Sequence, residues 1–283
     1  MEVFSLKSFC IKTNNKELIN YLLKELEYFD MNNVYVSVYK FKLYQNIIIH
    51  YTGKHKDDFL KGISTILSYT VIDFYESNII KSLINSNYFY FSSLEKKEIY
   101  DLCLNNIDFT GSLNIISSIS NVFFEYLSSE HSLILDGFVH FRLTDYIKSL
   151  DSIVDMCVNK FIIDREYHEF ISLLKLYISS SSSTCDAIHL IYKNEESILL
   201  NSSKNVIKLD SSMSSFKYLS DISFSSNDLA LNTLLTLLPS KLYIHIIDKE
   251  DDFINTLKLI FDDRVFVCND CSICNLYKLK AKV

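Results

Sequence analysis

Tryptophan is absent from this chain, and proline (1), glycine (4) and arginine (3, against 25 lysines) are scarce. Ile, Asn, Lys, Tyr and Phe take up the space, the imprint of codon bias in an AT-rich genome, so missing glycines and prolines say little about where the chain turns. No run approaches the ~18 apolar residues that a bilayer-spanning helix needs, which excludes a membrane span. Positive charge is short as well: the net charge is −7 and the pI near 5.5, which gives no support to a broad nucleic-acid surface. Lys278, Lys280 and Lys282 read as a solvated chain end. The start, "MEVFSLKSFC", has an acid at position 2 and no basic stretch leading into an apolar core, so no secretory signal is expected. The seven cysteines, an odd number, are therefore read as reduced thiols of a cytoplasmic protein.

Catalytic signatures are missing too. There is no phosphate loop and no G-x-S-x-G elbow, and "HEF" at 168–170 lacks a second histidine one helical turn on. His50, His55, His131, His140 and His189 have no ligand spacing to one another and read as surface or packed histidines. No catalytic residue is assigned, and a non-enzymatic role is favoured.

Hydrophobic residues make up 48% of the chain, ample for a packed core. Residues 1–53 read as a small α/β unit. "VFSLKSFCIKT" suits a strand, and Leu18, Ile19, Leu22, Leu23, Leu26 and Phe29 follow at helical spacing behind an Asn14 or Asn15 cap. A hairpin is expected around Gln45 and Asn46. Residues 54–178 turn helical, with a capping box at Ser92 and Glu95. A long periodic helix is expected from Leu133 to Ile162, with a break or cap at Asp164. "SSSSST" (179–184) marks a boundary or exposed link. From 184 to 283 the β texture returns: "AIHLIYK" and "SILLN" as a hairpin, "NVIKL" as a third strand, then a helix headed by Ser225 and ended by Pro239. "KLYIHII", "DDFINTLKLIF" and "RVFVC" complete a βαβ crossover, which makes the two strands parallel neighbours. The predicted fold is α+β: a small N-terminal α/β unit, a helical middle and a C-terminal α/β module.

That module ends in "VCNDCSICNLY", with Cys268, Cys271 and Cys274 within seven positions. C-x2-C is the usual half-site for zinc, and thiolates at this spacing can grip a soft or borderline metal from one loop. C-x2-C-x2-C also opens the bacterial iron–sulfur run, but the fourth Cys and the following Pro are absent. A tetrahedral site needs one outside ligand. His245 is the first candidate, because its strand should lie beside the one ending in Cys268; Cys185 or a second chain's cysteine are the others. A redox dithiol is a further option, though no thioredoxin-like context accompanies it. The plain alternative has Cys268 facing the core and the other two as spectators.

Three stretches resemble the YtxC family of spore-forming Firmicutes: "DGFVHFRLTDYIKSLDSIVDMCVNKFIIDREYHEFISLLKLYI" (136–178), "LLPSKLYIHI" (237–246) and "LIFDDRVFVCNDCSIC" (259–274). The resemblance covers the second half of the chain; the first ~130 residues match only in length and texture. It implies a role in sporulation, exerted through a protein partner, with no molecular activity attached. Arg142, Arg165 and Arg264 all fall inside these stretches. A guanidinium is a planar fork that lysine cannot copy, so an arginine retained in a lysine-rich chain suggests a geometric task. Intrahelical pairs answer it simply, Arg142 with Asp145 or Arg165 with Glu169. The sharper expectation is a partner surface of Arg142, Tyr146, Arg165, Tyr167 and His168.

Overall fold

The computed structural model describes residues 7–29, 32–41, 44–107, 112–207, 225–268 and 270–279. Contacts divide the chain into two units, Met1–Ile163 and Asp164–Val283.

In the first unit, β1 (Lys7–Thr13), α1 (Lys16–Tyr28), β2 (Val34–Phe41) and β3 (Tyr44–Tyr51) precede the helices α2 (Lys56–Val71), α3 (Ser77–Asn87), α4 (Ser93–Ile107) and α5 (Ser112–Ser129). β1 alternates strictly, burying Phe9 and Ile11 on the face that α1 covers with Leu18, Ile19, Leu22 and Leu26. Asn15 caps α1, its side-chain oxygen accepting from the Glu17 and Leu18 amides. The hairpin lies earlier than expected: β2 and β3 pair out to Phe41 and Tyr44, and Gln45 and Asn46 belong to β3. Asn46 is drawn into the sheet because its Nδ2 donates to the Tyr39 carbonyl at 3.1 Å. The Ser92–Glu95 capping box is present, with Ser92 N donating to Glu95 Oε2 at 2.7 Å and Glu95 N to Ser92 Oγ at 3.3 Å. Gly62 in α2 marks a close approach, since a Cβ there would lie 2.2 Å from the Phe29 ring.

The expected helix from Leu133 is not one element. Ser132–Ile134 form β4, parallel to β1, completing the sheet order β2-β3-β1-β4. Then come α6 (Leu135–Arg142) and α7 (Thr144–Ser180), separated at Leu143. Leu133 is buried at the sheet edge as readily as it would be on a helix, so periodicity alone misplaced it. Conversely α7 continues through Asp164 without a break, and the His168 ring Nδ1 donates to the Asp164 carbonyl at 2.6 Å. Ser179 and Ser180 complete α7.

In the second unit, β5 (Cys185–Lys193) and β6 (Glu196–Asn201) form the expected hairpin. For "NVIKL" the described part is a single bridge, Val206 with Leu200, and residues 208 and 209 lie outside the described residues. α8 (Ser226–Leu237) starts at a Ser225–Asp228 capping box. It ends at Leu238, φ 40°, immediately before Pro239 opens β7 (Pro239–Ile246). α9 (Asp252–Phe261) and β8 (Val265–Cys268) complete the βαβ unit, and α10 (Ser272–Leu279) follows. The sheet order is β6-β5-β7-β8, with β5, β7 and β8 parallel. Ile188, Leu190, Leu242 and Ile244 pack with Ala230 and Leu234 of α8 and with Ile254, Leu257, Ile260 and Phe261 of α9. On the opposite face Ile191 and Leu200 pack with Ile273 of α10.

Candidate metal centre

Strand alternation aims the site. With Leu242 and Ile244 buried under the helices, Tyr243 and His245 must face the other side of the sheet. The parallel register sets His245 directly beside Cys268. Beyond Cys268 the chain turns, and Cys271 stands just ahead of α10 with Cys274 in its first turn. Cys271 Sγ accepts the Cys274 amide at 3.5 Å, so a sulfur occupies the place of the usual capping oxygen.

The four donors converge. His245 Nδ1 lies 3.4 Å from Cys274 Sγ and 3.5 Å from Cys271 Sγ. Cys271 and Cys274 sulfurs are 3.6 Å apart, and those of Cys268 and Cys274 4.0 Å. All four ligand atoms fall within 4.8 Å of one another. A tetrahedron built on ~2.3 Å zinc–sulfur bonds has edges of ~3.8 Å. His245 and Cys274 are buried, Cys268 and Cys271 half-buried.

Electrostatics favour the unprotonated form at two donors, His245 and Cys271, and oppose it at Cys274. Burial, and then the neighbouring His189, lower the His245 pKa to about 4, which leaves the imidazole neutral with a lone pair to give. Burial pushes the Cys274 thiol up to about 11. Burial acts upward on Cys271 too, but hydrogen bonds from the Cys274 amide and from the neighbouring thiols outweigh it, and its pKa falls. Cys271, at the helix N-terminus, is thus the thiol of this pair that ionises first.

One participant escaped sequence reasoning. His189 on β5 puts Nδ1 3.0 Å from His245 Nε2, and its ring stacks on Tyr243 (centroids 5.0 Å) and His245 (5.2 Å). The available signal was alternation along β5, but using it requires knowing that β5 is the second neighbour of β7. Cys185 sits at the other end of the strands, opposite Pro239, with its thiol on the Leu237 carbonyl.

The arginines are scattered. Arg264 holds two carbonyls, Nη2 donating to Ile178 at 2.9 Å and Nη1 to Pro239 at 3.4 Å. Arg165 pairs with Glu169 at 3.7 Å. Asp145 takes Lys148 at 3.5 Å, not Arg142. Arg142, Arg165, Tyr167 and His168 are exposed. Tyr146 departs from the expected surface: its ring is buried in the core and its hydroxyl donates to Glu76 at 2.5 Å. A large ring on the core-facing stripe of α7 gains more from burial than from solvent. Arg142 and Tyr146 belong to the first unit and Arg165, Tyr167 and His168 to the second.

Three thiols and one imidazole meeting within a single chain define a Cys3His cluster. The chain belongs to the YtxC-like family, whose family model matches residues 61–266. The match takes in His189 and His245 and stops two residues before Cys268. No curated protein and no solved structure matches the chain. Among the described residues no helix is long and apolar enough to cross a membrane.

Proposed function

We propose that this is a cytoplasmic, sporulation-associated protein that binds one zinc ion through His245, Cys268, Cys271 and Cys274 and acts through a protein partner. The observation that carries the metal reading is the convergence of the donors, four of the six separations running from 3.4 to 4.0 Å, close to the edges of a zinc tetrahedron, and all six falling within 4.8 Å. Four protein ligands leave no open coordination position, so the ion is structural and does not activate water. The segment it staples needs help. β8 has four residues and leaves Phe266 and Val267 exposed, and α10 has eight. Zinc joining β7, β8 and α10 supplies the stability that so little burial cannot.

Protein purified without oxygen should carry one zinc per chain, and replacing Cys271 and Cys274 together by serine should abolish it. Iron in place of zinc would keep the site and change the ion; a folded wild-type chain free of metal would end the reading. Chelation should lower the melting temperature and expose the segment after Cys268 to protease.

The sporulation role rests on membership of the YtxC-like family. The partner reading draws on the exposed Arg142, Arg165, Tyr167 and His168. Arg142→Lys and Arg165→Lys each keep the charge and lose the fork. Sporulation should suffer in either strain with the melting temperature nearly unmoved, whereas a large stability loss would make the arginines structural.

A further inference from the structure

We propose that His189 is the positioning residue of this centre: it accepts the Nε2 proton of His245 and so commits Nδ1 of that ring to the metal. The inference rests on the zinc reading of the previous section and extends it to a residue outside the ligand set.

Proton count decides which nitrogen of His245 can face the metal. A neutral imidazole carries one N–H and one lone pair. His245 turns Nδ1 toward the Cys271 and Cys274 sulfurs, at 3.5 and 3.4 Å, and Nε2 toward His189 Nδ1, at 3.0 Å. When Nδ1 gives its lone pair to a metal, the proton resides on Nε2 and needs an acceptor. His245 is buried, so water does not readily serve. His189 Nδ1 is the acceptor in place, which puts the proton of His189 on its own Nε2. Metal-bound histidines ordinarily hand their second N–H to a carboxylate or carbonyl, and losing that partner typically costs 10–100-fold in metal affinity. Here a second histidine does the work. Its orientation is fixed on the sheet by stacking on Tyr243 at 5.0 Å with ring planes 18° apart. The parallel register of β5 and β7 sets His189 opposite Tyr243 and one alternation from His245, so the contact follows from strand pairing.

Two substitutions separate the hydrogen bond from simple packing. His189→Phe keeps an aromatic ring against Tyr243 and His245 but has no acceptor. His189→Gln loses the ring and keeps a carbonyl oxygen that can take the Nε2 proton. Cobalt(II) titrated into the full chain, with its visible absorption as readout, should bind on the order of 10–100-fold more weakly to His189→Phe and within a few-fold of wild type to His189→Gln. Equal affinities in all three chains, or weak binding by Gln and normal binding by Phe, would overturn the proposal while leaving the metal site intact. A wild-type chain that takes up no cobalt would overturn the zinc reading, and this proposal with it. A measurement on the zinc-loaded wild type does not depend on the variants folding. Nitrogen-15 NMR should find His189 protonated at Nε2 and bare at Nδ1, and the reverse tautomer would contradict the assignment.

Discussion

A chain with three arginines has few forked donors for its carboxylates, and tyrosine hydroxyls stand in for them. Tyr21 donates to Asp73 at 2.9 Å, Tyr75 to Asp136 at 2.7 Å, Tyr88 to Asp155 and Tyr146 to Glu76 at 2.5 Å each, and Tyr192 to Asp251. Asp73, Tyr75 and Glu76 all lie on the π-helical turn Ile72–Glu76 between α2 and α3, so this irregular turn is tied to α1, α6 and α7. Burial first, and then the bond to a carboxylate, raises the pKa of each of the five tyrosines, to about 12 for Tyr192 and higher for the rest. The folded values stand above the unfolded value of ~10. The stabilisation is therefore complete below that pH and is lost as pH rises through the folded values. Alkaline titration followed by tyrosinate absorbance should divide the tyrosines into an ordinary group and a late group that ionises only as the fold opens. A single ordinary transition for all 19 tyrosines would contradict the pairing.

Elements with a local chemical signal were legible in the sequence. Ser225 and the Asn14–Asn15 pair mark two helix starts, of which Asn15 is the cap, and the alternation of Leu242, Ile244 and His245 fixes which face the histidine takes. Other features left no local mark. β4 is three residues long, and the break at Leu143 has neither glycine nor proline. The partnership of His189 with His245 depends on which strand β7 chooses as its second neighbour, a tertiary fact. Glycine scarcity shows up as strain: Asn33, Asn194, Glu195, Lys204, Leu238 and Asp262 all have positive φ. Asn194 and Glu195, φ 52° and 62°, join β5 to β6 as a two-residue turn between Lys193 and Glu196. Asn-Gly is the favoured pair for such a turn. Glu195→Gly should stabilise the second unit by about 1 kcal/mol, since a left-handed conformation costs a non-glycine residue roughly that much. The backbone bonds of the turn, Asn194 N to Asp248 and Asn227 Nδ2 to the Glu195 carbonyl, survive the change. Denaturant midpoints for the two chains check it, and a loss of stability would mean the Glu195 side chain contributes more than its strain.

Over the whole molecule, the family match and the cysteine cluster meet at one border. The matched segment contributes the imidazole of His245 and its neighbour His189, and the residues just beyond it contribute the three sulfurs. The fold brings them together by parallel pairing of β7 with β8 and by the turn into α10. The proposed zinc sits in this convergence, bound by one nitrogen and three sulfurs. X-ray absorption at the zinc edge of protein purified without oxygen tests this coordination most directly. The expected first shell is three sulfurs at ~2.3 Å and one nitrogen at ~2.0 Å. A shell of oxygen and nitrogen alone, or a folded wild-type chain with no metal to absorb, would contradict it.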